Sequence, residues 1–212
     1  MTDEKESQEQ VKFGGSLARG STPAVIVVDL TIGFTDPKGT FGSDLDDVVE
    51  QTVRVLEAAR ERGHLVIYST VGYDPSLRDV NVPIQKAPAA TKMLNGMDAS
   101  ILDPRLGRRE EEVVIHKRAP SALFGTSVPA LLLGNHIDTV VLCGAVTSGC
   151  IRATCVDLYS YEMPTLIPLQ CVGDREQAPH EANLYDMQAK YADVIDVEDA
   201  IGYLRDTGAD AG

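Results

Sequence analysis

The chain has 212 residues, 43% of them apolar, enough for one well-cored domain, and carries a net charge of −13. That acidity excludes nucleic acid and anionic membrane as natural partners, and 5% aromatics with no tryptophan leave little for base stacking. Four cysteines without CxxC spacing are expected as reduced thiols, and with no run of about eighteen apolar residues and no charged-then-apolar leader, a soluble cytoplasmic protein is expected.

In chain order, residues 1–20 are polar and charged, and are expected to form a loosely ordered arm lying on a partner subunit. Residues 21–212 read as a single domain. Ala24 to Val28 is a first buried strand that ends at Asp29, a carboxylate that either caps the next turn or faces a ligand crevice beyond the strand ends. Leu30 to Ser43 is a loop too long for mere connection. Asp44 to Arg62 has helical apolar spacing with Gly63 as its cap, and Leu65 to Ser69 is a second strand. Thr70 to Leu102 has no clean period and is expected to run over the carboxyl edge of the sheet, as a lid or a contact with another subunit. Glu112 to His116 is a third strand followed at once by Lys117, and Thr126 to Asn135 is a helix with Pro129 in its first turn.

The stretch from Asp138 to Tyr161 organises the rest. Thr139 to Cys143 is a β-branched apolar run, Gly144 to Gly149 are mostly small residues, and an amphipathic helix follows from Cys150. A thiol in the first turn of such a helix meets free N–H groups and a partial positive charge, which favour a thiolate and a developing oxyanion. Cys143, Cys155 and Cys171 have apolar neighbours and read as small buried hydrophobes. Pro164 to Pro168 is a further strand, Glu176 to Lys190 a helix, Asp193 to Val197 a last short strand and Glu198 to Arg205 a terminal helix. Alternating strands and helices give an α/β fold, a doubly wound, mostly parallel sheet in three αβα layers.

Asp29, Lys117 and Cys150 each stand at or just past the carboxyl end of an apolar strand. If those strands are neighbours, a proton acceptor, a cation that lowers the thiol's pKa and a nucleophile converge in one crevice. Lys117 taken alone reads equally as a solvated charge at a strand end.

With PAVIVVDL around Asp29, EVVIHKRAPSALFGT around Lys117, DTVVLCGAVTSGCIRAT around Cys150, VGDR ending at Arg175 and HEANLYDMQAKYADV from His180, the chain resembles the isochorismatase-like cysteine hydrolases, in the branch of N-carbamoylsarcosine amidase and maleamate amidohydrolase. The resemblance implies an isochorismatase-like hydrolase fold and a metal-independent amidase that needs no cofactor. Its small amide or carbamoyl substrate would carry a carboxylate, and ammonia would leave through a thioester. It implies Cys150 as nucleophile, Asp29 as proton carrier and Lys117 as the balancing cation. A cis peptide at Ala145–Val146 would set the N–H groups of Val146 and Cys150 as an oxyanion hole. Arg175 matches a position that binds a substrate carboxylate, with a salt bridge to Asp174 or another acid as its alternative. His180 lines the pocket or serves as a cap or surface residue; Phe34, Phe124 and Tyr159 wall the cleft or belong to ordinary packing. Val146 replaces a threonine common in the branch, which bears on substrate choice.

The metal-binding pattern of the nicotinamidase branch is absent, so His64, His116 and His136 are expected to be structural. Family members form dimers and tetramers, so a homo-oligomer acting on a small-molecule amide is expected. Other activities to weigh are a nicotinamidase-like or ureide hydrolase, a thiol redox protein, and a non-catalytic ligand-binding member of the fold.

Overall fold

A computed structural model describes residues 14–208. Seven parallel strands build the sheet: β1 (Pro23–Val28), β2 (Leu65–Val71), β3 (Val113–Lys117), β4 (Thr139–Ala145), β5 (Thr165–Pro168), β6 (Val172–Gly173) and β7 (Asp193–Ile195). Their order across the sheet is β3-β2-β1-β4-β5-β7, with the two-residue β6 beside the end of β4.

The strands are apolar throughout because both faces are covered. Successive residues of β1 serve opposite layers: Val25 and Val27 join one core, Ala24, Ile26 and Val28 the other. The first core is closed by α2 (Asp46–Glu61) and α7 (Val197–Asp206). The second is closed by α4 (Val128–Gly134), α5 (Arg152–Ser160) and α6 (Gln177–Lys190). The three-layer, doubly wound α/β expectation is met. Among the described residues, no helix is long and apolar enough to cross a membrane.

Several details differ from the sequence reading. The loop after β1 holds a one-turn helix, α1 (Ile32–Thr35). The 70–102 stretch is not structureless: after β2 ends at Val71 it carries α3 (Val82–Lys86) and 3₁₀ turns at Pro88–Lys92 and Asp98–Ser100. Bridges from Tyr73 to Leu94 and from Thr31 to Leu102 tie it back to the sheet's carboxyl edge. Val197 belongs to the last helix rather than the last strand, because the Asp196 side chain accepts the Glu198 N–H at 2.9 Å and starts the helix there.

Of the expected arm, residues 1–13 lie outside the described residues. The following segment is fixed to its own chain. The N–H of Leu17 reaches Asp193 Oδ2 at 3.0 Å, the N–H of Gly20 reaches Thr139 Oγ1 at 2.8 Å, and Tyr203 donates its hydroxyl to the Gly20 carbonyl at 3.0 Å.

Candidate active site

Asp29, Lys117 and Cys150 meet beyond the carboxyl ends of the strands. Asp29 follows β1 directly and is held at φ 54°, a left-handed conformation uncommon for a residue with a Cβ. Its N–H bonds the Ser69 carbonyl of β2 at 2.9 Å, and its own carbonyl accepts the Thr31 N–H at 2.9 Å, so the chain turns sharply at the strand end. Cys150 comes off β4, the neighbour of β1.

Lys117 is the last residue of β3, which pairs with β2 and adjoins neither of the other two strands. The expectation of three adjoining strands is therefore corrected. The gap from β3 to β1 is about 10 Å, and the long lysine stem crosses it. Lys117 Nζ lies 2.7 Å from Asp29 Oδ2, with neither side chain exposed. It also donates to the Ala119 carbonyl at 3.1 Å and to Cys150 Sγ at 3.4 Å. Lys117 is thus not a solvated strand-end charge.

Burial sets the direction of the shift at Asp29 and Cys150 but not at Lys117. It pushes the Asp29 carboxyl up, and the charge and hydrogen bond of Lys117 offset only part of that rise. Burial also disfavours the Lys117 ammonium, but Asp29 and the Cys150 sulfur outweigh it and hold the lysine above its ordinary value. The Cys150 thiol is pushed up to about 12, by burial first and the Asp29 charge second, with Lys117 opposing. The expected depression of the thiol is thereby corrected. A thiol held up in this way needs a base to become a nucleophile.

The turn that carries Cys150 is tightly specified. At Gly144, φ is 132°, and a Cβ there would stand 2.0 Å from the Val28 carbonyl oxygen, so glycine alone lets β4 pass β1 this closely. The Ala145–Val146 peptide is cis. Cys150 does not sit in an ordinary first α-helical turn, as the sequence led one to expect. It lies in a π-helical turn, Thr147–Ile151, that runs into α5 and is closed by the Ile151 N–H on the Val146 carbonyl at 3.2 Å. Two side chains pin this turn from outside: His180 Nδ1 pairs with Thr147 Oγ1 at 2.9 Å, and Asp174 Oδ2 accepts the Ser148 N–H at 2.7 Å.

The other expected site residues divide. Arg175 is exposed and makes no ion pair among the described residues. Its Nε donates to the Phe41 carbonyl at 3.0 Å, and its guanidinium stands 5.9 Å from the centre of the buried Phe34 ring. Asp174 takes the Arg175 backbone N–H at 2.8 Å, not the guanidinium, so that form of the salt-bridge alternative is set aside. Phe34 stacks on Phe41 with centroids 6.0 Å apart. Phe124 is 71% exposed on the rim of a surface cleft also lined by Ala119, Ser148 and Gly149. His180 holds the turn that carries Cys150, through Thr147. Tyr159 is half exposed and packs edge-on against Tyr191, so it belongs to neither the cleft nor the core. His64 bonds the Leu204 carbonyl and His116 bonds Thr70 Oγ1, each at 2.8 Å. Among the described residues, no group of three or more His, Cys, Asp or Glu could hold a metal ion.

A model of the isochorismatase domain matches residues 23–199. The chain belongs to the isochorismatase family. Relatives in this family include the maleamate amidohydrolase of Pseudomonas putida, 36% identical over 97% of this chain and 98% of that one. The N-carbamoylsarcosine amidase of an Arthrobacter species is 32% identical over 91% of this chain and 75% of that one. Among solved structures, a cysteine hydrolase from Pseudomonas syringae superposes with a TM-score of 0.83 at 20% identity, covering 87% of this chain and 93% of the other. The N-carbamoylsarcosine amidase of Thermoplasma acidophilum gives 0.71 at 23% identity over 84% and 97%. These two structures speak for the fold.

Two residues of this isochorismatase-family site escaped the sequence reading. Tyr73, just past β2, is buried at 4% exposure, held by the Met93 carbonyl at 2.8 Å and the Asn95 N–H at 2.9 Å. Its phenol is pushed up, by burial first, and it lies within electrostatic reach of Lys117, Cys150 and Asp29. It sits in the aperiodic 70–102 stretch, where no local pattern marks it. Asp174 stands beside a motif arginine, which drew attention to its neighbour instead.

Proposed function

We propose that this isochorismatase-family protein is a cysteine amidohydrolase that releases ammonia from a small amide or carbamoyl compound bearing a carboxylate. The protein is a hydrolase acting on C–N bonds of linear amides, the class named for both relatives above. The observation that carries the mechanism is a single buried ammonium, Lys117 Nζ, lying 2.7 Å from Asp29 and 3.4 Å from Cys150 Sγ.

In the proposed cycle, Asp29 takes the Cys150 proton as sulfur forms a bond to the amide carbonyl carbon. Burial pushes the thiol up, so the base beside it is needed for C–S bond formation. The carbonyl oxygen becomes an oxyanion held by the N–H groups of Val146 and Cys150. Asp29 returns the proton to the leaving nitrogen, the C–N bond breaks, and ammonia departs from a thioester on Cys150. Water, deprotonated by Asp29, then attacks the thioester, and the carboxylic acid product and the free thiol are released. Lys117 stays an ammonium throughout, balancing whichever of carboxylate or thiolate bears the charge. Arg175, with no acid among the described residues engaging its guanidinium, is the proposed seat of the substrate carboxylate, since its planar fork suits bidentate pairing. Phe124 stands on the rim of the cleft beside Ser148 and Gly149, and Phe34 backs the Arg175 guanidinium. The proposed enzyme works in the cytoplasm as a dimer or tetramer and needs no metal.

The test is ammonia release after EDTA treatment from maleamate, N-carbamoylsarcosine, nicotinamide and biuret, with Cys150→Ser as control. Release from a carboxylate-bearing amide that is lost in Cys150→Ser supports the reading. Release from none of the four refutes it.

A further inference from the structure

We infer that Asp174 is a positioning residue that joins the nucleophile's turn to the carboxylate-binding arm, so that recognition and attack share one support. The inference rests on the proposed roles of Cys150 and Arg175. Its own ground is the way Asp174 divides its carboxylate. Oδ2 accepts the Ser148 N–H at 2.7 Å, two residues before Cys150, and Oδ1 accepts the Arg175 N–H at 2.8 Å. One rigid, planar group thus fixes a backbone point on each functional segment.

The surroundings make that support stiff. Asp174 follows β6, whose Val172 and Gly173 pair in parallel with Gly144 and Ala145, so the segment bearing Asp174 is registered against the strand that feeds the cysteine turn. His180, from the following helix, holds Thr147 at 2.9 Å. Successive residues of the turn, Thr147 and Ser148, are therefore held from the same side. Beyond Asp174, the Arg175 side chain is steadied by the Phe41 carbonyl and the Phe34 ring. An N–H bound to a carboxylate is among the stronger hydrogen bonds, and its loss in a partly buried place is worth about tenfold in an equilibrium or rate. Asparagine cannot replace both bonds. Its single carbonyl oxygen can accept one N–H, while its NH₂ would meet the other donor head-on.

The test needs no knowledge of the natural amide. Iodoacetamide, a neutral reagent, alkylates Cys150 at a rate that reports the placement of the sulfur, read by mass spectrometry of the peptide. Maleate, a small dicarboxylate, protects the thiol at a concentration that reports the hold of Arg175 on a carboxylate. Arg175→Ala is expected to weaken protection about tenfold or more. Asp174→Ala is expected to lower the unprotected rate about tenfold, through the partly buried Ser148 bond, and to weaken protection a few-fold, through the exposed Arg175 bond, and Asp174→Asn to lose chiefly one of the two. Melting curves of all variants confirm that folded protein is compared. The inference is overturned if folded Asp174→Ala changes only one of the two readouts, or neither. If maleate fails to protect the wild-type thiol, the carboxylate role of Arg175 falls, and the shared support falls with it. Should Cys150 alkylation also be indifferent to Asp29→Asn, the failure lies in the proposed amidohydrolase mechanism itself.

Discussion

Asp29 is a fully buried carboxylate whose fixed counter-charge is one lysine, and removing that partner has two separable consequences. Lys117→Met leaves the carboxylate buried and unpaired, which costs about 3–5 kcal/mol of stability unless Asp29 takes up a proton. A protonated Asp29 cannot accept the thiol hydrogen. Lys117→Met should therefore show a small stability loss joined to a large loss of kcat, and urea unfolding beside steady-state kinetics would detect that pairing. Asp29→Asn removes the base while keeping the shape, and is expected to lower kcat by about 10²–10⁴ with KM little altered. A kcat within a few-fold of wild type would show that another group takes the proton.

The pH dependence follows from the same two residues. Burial raises Asp29 above its ordinary 3.8, and it must be ionised to act, so the acid limb of kcat/KM should have its midpoint above 3.8. Lys117 is held above its ordinary 10.5, so its favourable charge is present across the neutral range. Its contribution to stability is complete below the unfolded value and is lost only as pH rises through the higher folded one. A profile with an acid limb below 3.8, or a lysine-linked loss of stability below pH 10.5, would contradict this placement of protons.

At the scale of elements, the crossing of β1 and β4 decides whether the nucleophile's turn can form. Gly144→Ala would drive a methyl group to within 2.0 Å of the Val28 carbonyl oxygen at a φ of 132°. The expected result is a loss of more than about 3 kcal/mol, or failure to accumulate folded protein, measured by denaturant unfolding. The strands were legible because each is a short apolar run: β1, β2 and β4 were found within two residues of their observed ends. Asp29, Lys117 and Cys150 were legible for the same reason, since a charge or thiol closing such a run stands out.

What local pattern could not supply was distance across the sheet. Strand order placed β2 between Lys117 and its partner, a fact carried by no single stretch of sequence. The small residues of the turn at Cys150 permit an α-helical or a π-helical start, so the sequence does not distinguish the two. Tyr73 and Asp174 act through contacts with residues far along the chain, and Asp196 moved a boundary through its cap rather than through periodicity.

For the molecule as a whole, stability and chemistry are placed apart. Away from the site, Arg60 pairs with Glu112 at 2.7 Å, with the side chains 9% and 6% exposed, and donates to the Tyr68 hydroxyl and the carbonyls of Leu106 and Gly107. This network ties α2 to β2 and to the segment that enters β3, the strand that delivers Lys117. Arg60→Ala strands a buried glutamate and should cost about 3–5 kcal/mol in urea unfolding, with kcat per folded molecule unchanged. A lowered kcat in folded Arg60→Ala would show that the frame and the site are coupled more closely than their separation implies.

A covalent bond from Cys150 to the acyl carbon defines the proposed cycle. It is tested most directly by quenching the enzyme in acid during turnover of maleamate and weighing the peptide that contains Cys150. The account predicts an acyl adduct whose mass equals the substrate less ammonia, borne on Cys150 and absent from Cys150→Ser. Ammonia release by Cys150→Ser at the wild-type rate, with no adduct on the wild-type peptide, would contradict it.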